Sequence, residues 1–376
     1  MIKQTKSNPW NIAELMRDTY QTTQIIDSMA TLIIAHLIEP NKPVNTIFDL
    51  NRIVSTKYPE FKIENLDQKI FDKLKTLEMT EENIQSVIQM LNPYLGGSYD
   101  FSPNSVYDLA KFVKINELGK VADFNCNTSA LLREVIKQNK FIGEVHLFSD
   151  KILSLKLSFV NIYPYNKNIV LHLENFNELQ NCDQHFDFIY VLSHFGYKPG
   201  DEESLEIFER EGRRLLKKEG KMLLVVPAGF LFQINNKYNL LRKTILEKYP
   251  IDAIISLSKV FKPYTAIETA LILLDNSKPL NQKVFVAHLN FIDDTFEDIK
   301  ILTEAFFQHT KGKTIENVSP MTNRIEKQEL QDDFNIKRFD PKQIRLNDKI
   351  SKKYKTVFLD EVCNVIRGDS YGNNDY

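Results

Sequence analysis

The feature that most constrains the fold of this chain is an alternation of short apolar runs and helical patterns, which begins at about Val121. Such an alternation predicts a largely parallel sheet with helices on both faces, because parallel neighbours need a crossover connection. Ligands in such doubly wound sheets bind beyond the carboxyl ends of the strands. The predicted strands are KVADF, EVHLFSD, NIVLHLE, FDFIYVLS, KMLLVVPA, DAIISLS, TALILLD and KVFVAHL.

Two segments between these runs, SALLREVIKQN and EESLEIFEREGRRLLKKEG, have the spacing of helices. Gly220 stands where a helix C-terminal glycine belongs. The end of the second segment is the densest basic cluster of the chain. It is either a solvated helix end that favours the helix dipole or a contact for DNA. The cluster consists of Arg213, Arg214, Lys217, Lys218 and Lys221.

Around this alternation the chain divides into four segments. Residues 1–95 carry helical patterns, with Thr80 as one predicted helix start, and they predict a separate helical domain. Residues 96–295 form the predicted α/β domain, and residues 296–355 are a charged connector. A new apolar element occupies residues 356–376, which cannot bury a core alone. We therefore expect a fragment or one part of a larger assembly.

Composition narrows the classes of function. The formal net charge is −2, so DNA binding would have to use a local basic face. Cys126, Cys182 and Cys363 form no CxxC pair and no metal-ligand spacing, which predicts a protein of the reducing cytoplasm without a metal site. The apolar run Met29–Ile38 is too short to span a bilayer, and no membrane role is expected.

A family resemblance rests on the order of several motifs. NPWNIAELMRDTY opens the helical region, and GGSYDFSPNSVYDLAKFV is similar to an F-Y-T-P segment. VADFNCNTSALL stands at the position of a D-P-x-x-G-T-G-x-x-L motif. FDFIYVLSHFG stands at the position of an F-D-x-I-x-x-N-P-P-F-G motif. EGKMLLVVPAGFLF and LRKTILEKYPIDAIISLSKVFKPYTAIETALILL match a later strand–turn–strand run. In this order the motifs resemble the N-6 adenine DNA methyltransferases that are modification subunits of type I restriction–modification systems.

The resemblance implies a mostly parallel, doubly wound α/β sheet of the S-adenosylmethionine-dependent methyltransferase (Rossmann-like) type, preceded by an N-terminal helical domain. It implies S-adenosylmethionine as cofactor and DNA, specificity subunits and restriction subunits as partners. FNIKRFDPKQ and FLDEVCNVIRG resemble the entry to a target-recognition domain, as in fused modification–specificity proteins.

The resemblance also indicates residues of the cofactor site. Asp123 and Thr128 match the first-loop motif, whereas Asn127 and Ser129 stand at its two glycine positions. Glycine there lets the backbone approach the cofactor and adopt positive φ. Asn also tolerates the left-handed region, so the turn can persist without glycine. The side chains of Asn127 and Ser129 would then crowd the methionine end of the cofactor. The alternative is an ordinary strand-to-helix turn without a ligand.

Four further positions belong to the implied cofactor site. Ser102 and Pro103 stand at the Thr-Pro positions of the F-Y-T-P segment. Asp150 is the candidate for the acid that accepts hydrogen bonds from the ribose, although direct counting places Ser149 there and Asp150 also suits a solvated helix start. Glu174 is either a contact for the adenine amino group or a surface acid.

The catalytic loop departs most from the family. In register, Leu192 replaces the Asn, Ser193 and His194 replace the two prolines, and Phe195 keeps the aromatic. In the family the Asn oxygen and a backbone carbonyl accept hydrogen bonds from the amine of an adenine flipped from the duplex. Leu has no acceptor, so the sequence predicts an inactive or impaired site.

Alternatives remain open at this loop. His194 is either a replacement base or a polar surface residue, and Phe195 either stacks on a base or packs under the loop. Lys259, Lys262 and Tyr264 could touch phosphate, or their segment is a core hairpin with a turn. At the level of the protein, the alternatives are an active enzyme with an altered loop and a scaffold that acts through protein contacts.

Overall fold

The centre of the fold is a nine-stranded sheet within the described part of the chain. This computed structural model describes residues 8–64, 66–90, 101, 103–115, 118–140, 143–173, 185–193, 211–233, 236–261, 265–292, 295–296, 299–313, 322–325 and 330. The strands are β1 (Lys120–Phe124), β2 (Glu144–Ser149), β3 (Ile169–Leu173), β4 (Phe186–Leu192), β5 (Leu216–Pro227), β6 (Ile251–Leu257), β7 (Thr269–Asp275), β8 (Val284–Leu289), β9 (Phe291–Ile292), β10 (Thr295–Phe296) and β11 (Thr322–Ile325).

The sheet is mostly parallel, as predicted. Its strand order is β11-β8-β6-β7-β5-β4-β1-β2-β3, and β9 and β10 form a separate small hairpin. Strands β7 and β11 run antiparallel to their neighbours, while the others share one direction. All eight predicted strands occur as β1–β8. The apolar runs made them predictable, because β6, β7 and β8 are buried at every position.

Helices cover both faces of the sheet. They are α1 (Pro9–Met16), α2 (Thr22–Ile38), α3 (Ile47–Ser55), α4 (Gln68–Leu74), α5 (Glu81–Met90), α6 (Pro103–Leu109), α7 (Ala130–Asn139), α8 (Ile152–Ile162), α9 (Arg213–Leu215), α10 (Gly229–Phe232), α11 (Asn236–Lys248) and α12 (Ile299–Thr310), with 3₁₀ turns at Pro59–Phe61 and Ala110–Phe112. Helices α1–α8 and α12 contribute to one core, and α10 and α11 to the core on the opposite face.

Side-chain caps mark the starts of two N-terminal helices. Thr46 and Asp49 form a reciprocal capping box at the start of α3. The predicted start at Thr80 is confirmed, since its hydroxyl accepts a hydrogen bond of 3.2 Å from the backbone amide of Asn83. In α2 the residues from Ile25 to Ala35 are buried except Asp27, so this helix lies at the centre of the helical region.

A buried ion pair joins this helical region to the sheet. Lys156 of α8 is 1% exposed, and its Nζ lies 2.7 Å from Oδ1 of Asp27 in α2. Burial lowers the pKa of Lys156, and the Asp27 carboxylate opposes that shift. The same apolar core contains residues of both regions, such as Ile33 of α2 and Phe159 of α8.

One local prediction needs correction. Gly220 lies inside β5, because the predicted helix ends at Leu215 and the strand begins at Leu216. The pairing of β4 with β5 shifts between Phe186 and Phe188, so the residues around Gly220 form an irregularity of the strand. A Cβ at Gly220 would lie 2.7 Å from a Leu216 methyl, which explains the glycine.

Two facing histidines connect β2 and β3. Nδ1 of His146 lies 2.9 Å from Nε2 of His172, and Oε2 of Glu144 lies 3.2 Å from Nε2 of His146. Both rings are buried, and His172 stacks on Phe148 with centroids 4.1 Å apart. Burial lowers the pKa of His146 from 6.5 to about 4, although Glu144 partly opposes this effect.

We expect the free energy of unfolding to fall as the pH decreases from 6.5 towards 4, the interval between the unfolded and folded pKa of His146. The folded state favours the neutral ring, so its stabilisation is complete above that interval and is lost in acid, by at most about 3 kcal/mol. Urea titrations across this pH range measure the loss. His146→Phe should flatten the dependence, while the matched change His36→Phe, at an exposed position, should not. An equal slope in both variants contradicts the assignment.

Candidate functional site

The candidate site lies at the carboxyl ends of β1 and β4. Strand β1 pairs with β2 on one side and β4 on the other, so the strand order reverses there and opens a crevice, where α/β proteins of this type bind ligands. The segments that follow β1, β2 and β4 therefore all begin at the same edge of the sheet. The structure thus brings together Asp123–Ser129, Ser149–Asp150 and Leu192–Ser193.

The first loop turns by two residues with positive φ. Ser129, at the second glycine position of the motif, has φ 53°, and Asn125 has φ 80°. Asn127 stands at the first glycine position and is not among the residues with positive φ. The turn is fixed to β2, because the amides of Asn125 and Cys126 donate to the Phe148 carbonyl at 3.1 and 2.8 Å. Asn and Ser thus make the turn without glycine.

The side chains of this loop point into the protein. Asp123 Oδ2 accepts a hydrogen bond of 2.7 Å from the Ser129 hydroxyl. Cys126 is 1% exposed, Asn127 3%, Thr128 2% and Ser129 2%. The first loop is therefore closed.

The first loop offers little exposed surface to a ligand. A ligand of the crevice needs loop surface to lie against, and Cys126–Ser129 have almost none exposed. At the end of β2, Ser149 is buried and its hydroxyl accepts from the Lys151 amide at 3.2 Å. Asp150 follows as an exposed residue before α8. The acid predicted for the ribose thus lies at the expected edge of the sheet and is exposed.

Leu192 packs into the protein core. It is the last residue of β4, is 3% exposed, and belongs to the same apolar core as the N-terminal helices. The next residue, Ser193, is also buried, and its amide donates to the Val225 carbonyl at 2.9 Å. At the position where the resemblance places an Asn, this chain therefore has a packed aliphatic side chain.

Sequence reasoning missed four polar residues around this crevice. Asn125 Nδ2 lies 3.4 Å from the Leu192 carbonyl oxygen and so links the ends of β1 and β4. Asn161 Nδ2 donates to the Thr128 carbonyl at 2.8 Å, and Arg133 and Gln85 contact Asn161. The preference of Asn for positive φ could have identified Asn125. The contacts of the other three are tertiary and leave no local signal.

Several candidate positions lie outside the described residues. The structure describes the backbone of Pro103, which begins α6. Phe101, two residues earlier, contacts Phe261 after β6 with ring centroids 4.7 Å apart. This contact brings the F-Y-T-P-like segment to the same edge of the sheet. Outside the description are Ser102, the side chain of Pro103, Glu174, His194, Phe195, Lys262 and Tyr264.

The basic cluster lies away from the crevice, at the start of β5. Three of its members pair with carboxylates: Arg214 with Glu211 at 2.6 Å, Lys217 with Asp187 at 2.8 Å, and Lys221 with Asp275 at 3.5 Å. These pairs favour a solvated surface over a DNA contact. By contrast, Lys259 is exposed and follows β6 at the carboxyl edge of the sheet.

Two classes of feature are absent from the described part of the chain. No group of three or more His, Cys, Asp or Glu residues there is arranged to hold a metal ion. Within the same residues, no helix combines the length and apolar character needed to cross a membrane.

Comparison with solved structures defines the class of the fold. A structure from work on the assembly and conformational transition of the type I R-M system superposes with a TM-score of 0.65 at 15% identity, covering 88% of this chain and 89% of the other. A modification subunit of a putative type I restriction enzyme from Vibrio vulnificus gives 0.56 at 16% identity, with 77% and 72% covered. A putative class I S-adenosylmethionine-dependent methyltransferase from Listeria monocytogenes gives 0.52 at 17% identity, with 82% and 95% covered.

The chain thus has the fold of S-adenosylmethionine-dependent methyltransferases, shared with type I modification subunits. Its sequence narrows the class, because residues 208–338 match the family described as N-6 DNA Methylase. The resemblance to N-6 DNA methylases is therefore confirmed over residues 208–338, and the fold is one that type I modification subunits share. No curated protein matches the chain by sequence.

We expect Leu192→Ala to lower the free energy of unfolding by about 2–5 kcal/mol, because it leaves a cavity in a packed core. Leu173→Ala, at a position 39% exposed at the end of β3, is the matched control and should cost less than about 0.5 kcal/mol. Urea unfolding followed by circular dichroism compares the two. Equal costs would show that Leu192 does not have the packing role assigned to it.

Proposed function

We propose that this chain is a DNA-binding protein of the modification-subunit type, whose adenine methyl-transfer site is silent. The observation that carries the proposal is the position of Leu192, which ends β4 and packs into the core. The resemblance gives that position to an Asn whose oxygen accepts a hydrogen bond from the target amine. A buried aliphatic side chain cannot accept one.

The loss of the side-chain acceptor has an energetic cost, and the end of β4 is held by a neighbouring side chain. The Leu192 carbonyl accepts a hydrogen bond of 3.4 Å from Nδ2 of the Asn125 side chain. Loss of a buried hydrogen-bond partner costs on the order of 1–3 kcal/mol, and loss of orientation in the transition state costs more. The side-chain acceptor of the amine is thus absent, which supports a silent site.

The closed first loop supports the same proposal. S-adenosylmethionine, the cofactor of the methyltransferase class, supplies a methyl group when it is bound. In this chain the predicted contact residues Asp123, Asn127 and Thr128 are buried and Asp150 is exposed. We propose that cofactor binding is weak and needs this loop to open.

The partners and the domain division extend the proposal. We propose that the chain works in the cytoplasm with DNA and with specificity and restriction subunits or a fused specificity domain. Residues 1–95 would form the helical part, 96–295 the methyltransferase-like part, and 356–376 the start of a target-recognition domain. The segment 296–355, predicted as a connector, contains α12, which packs into the main core, and β11, which pairs with β8, so part of it belongs to the methyltransferase-like fold. The match to the N-6 DNA methylase family over residues 208–338 supports the methyltransferase-like part and extends past the proposed boundary at residue 295.

We expect no methyl transfer above background when the purified chain is incubated with labelled S-adenosylmethionine and adenine-containing duplex DNA. The physical reason is the absence of an acceptor at Leu192. The assay should include an active type I modification enzyme as positive control, and it should be repeated with specificity subunit added. Transfer at an ordinary enzymatic rate in either arm would favour the active-enzyme alternative and end the proposal of a silent site.

We expect DNA binding that weakens steeply with salt, because phosphate contacts release counterions. Lys259→Ala should reduce the slope of log affinity against log salt by about 1, since one phosphate contact is lost. Lys218→Ala, an exposed lysine in the basic segment of β5, is the matched control and should leave the slope unchanged. Fluorescence anisotropy with a labelled duplex measures both. If the chain shows no binding even at low salt, the scaffold alternative is correct.

A further inference from the structure

We infer that Gln85, in helix α5 of the N-terminal region, is a positioning residue that controls the opening of the first loop, Asn125–Ser129. The inference concerns regulation of the proposed site, and its relevance to ligand entry rests on the proposed function. Its starting point is the closure of the loop, since Cys126–Ser129 are each at most 3% exposed. Any ligand of the crevice must therefore meet an open form, and whatever holds the loop closed acts as a gate.

Asn161 holds the loop closed through a hydrogen bond to its backbone. This α8 residue is 2% exposed, and its Nδ2 donates to the Thr128 carbonyl at 2.8 Å. Thr128 is next to Ser129, whose positive φ makes the turn into α7. Movement of Asn161 would remove this donor from the buried Thr128 residue, and the loss of a buried hydrogen bond is costly. The loop therefore stays closed while Asn161 keeps its orientation.

The orientation of Asn161 depends on a closed triangle of hydrogen bonds. Its Oδ1 accepts from Arg133 Nη1 at 3.0 Å and from Gln85 Nε2 at 3.2 Å. Arg133 Nη1 also donates to Gln85 Oε1 at 2.8 Å. These bonds fix Oδ1 as the acceptor of the Asn161 side chain. Its Nδ2 group, the donor, must therefore face Thr128. Gln85 is the member of the triangle that belongs to the N-terminal helices.

The energetics indicate a positioning role for this network. Arg133 is 8% exposed and Glu134 is 4% exposed, and they pair at 3.0 Å. Within the described residues, Arg133 Nε and Glu134 Oε2 have no hydrogen-bond partner. A buried and incompletely satisfied charged network is a poor source of stability, because desolvation offsets its attraction. What it provides is a defined geometry between α5, α7 and α8, which places the loop under the control of the N-terminal helices.

The loop carries its own reporter, the buried thiol of Cys126. The test is the rate at which iodoacetamide modifies Cys126 in the full-length native chain, followed by mass spectrometry of its peptide so that Cys182 and Cys363 are distinguished. Gln85→Ala should raise this rate roughly three- to tenfold, the effect of losing one or two buried hydrogen bonds. Gln89→Ala, at an exposed position of the same helix, is the matched control and should leave the rate unchanged.

Amide hydrogen exchange in β7 separates local opening from general loss of stability. Strand β7 is buried at every position, so its amides report global unfolding. A faster Cys126 reaction with unchanged β7 exchange supports the inference. An unchanged Cys126 rate in Gln85→Ala overturns it, and so does a rise shared equally by Cys126 and β7. Asn161→Ala can fail to fold, which is why the partly exposed Gln85 is the residue tested.

The two proposals fail separately. The thiol measurement needs neither cofactor nor DNA, so a chain that binds neither can still show gating by Gln85. A chain that binds DNA and transfers no methyl group, yet shows no response at Cys126, keeps the proposed function and loses the gate.

Discussion

The parallel pairing of β1 with β4 is the interaction on which the rest of the structure depends. In register, Asp123 lies beside Tyr190 and Phe124 beside Val191, so both strands end at the same level. Because β2 pairs with the other side of β1, the chain leaves β1 in one direction and returns at β4 in the other. This reversal creates the crevice and determines which loops can meet there.

Much of the fold could be predicted because strands buried on both faces must be apolar along their whole length. That is why β6, β7 and β8 were recognisable as continuous apolar runs in the sequence. The segment LKKEG was misassigned to a helix because its charged residues fit a solvated helix end equally well. Its pairing with β4 is a non-local contact, and local composition contains no signal for such contacts.

The candidate site divides in the same way. Motif spacing located Asp123, Ser149 and Leu192 correctly at one edge of the sheet, since strand ends are readable from sequence. Whether those residues face a cavity or the core was not readable, because burial depends on helices distant in the chain. Sequence reasoning gave the positive φ to Asn127, yet Asn125 adopts it, two residues earlier. A turn without glycine leaves several positions able to adopt the left-handed region.

The Lys156–Asp27 pair has a consequence for how such proteins diversify. Lys156 is 1% exposed, and an ammonium group left unpaired at such a depth costs several kcal/mol. A recombination event that exchanged the N-terminal helices of two relatives would therefore be tolerated only if the incoming segment carried an acid at position 27. We therefore expect the N-terminal helices and the sheet region to be inherited together, because one buried ion pair joins them.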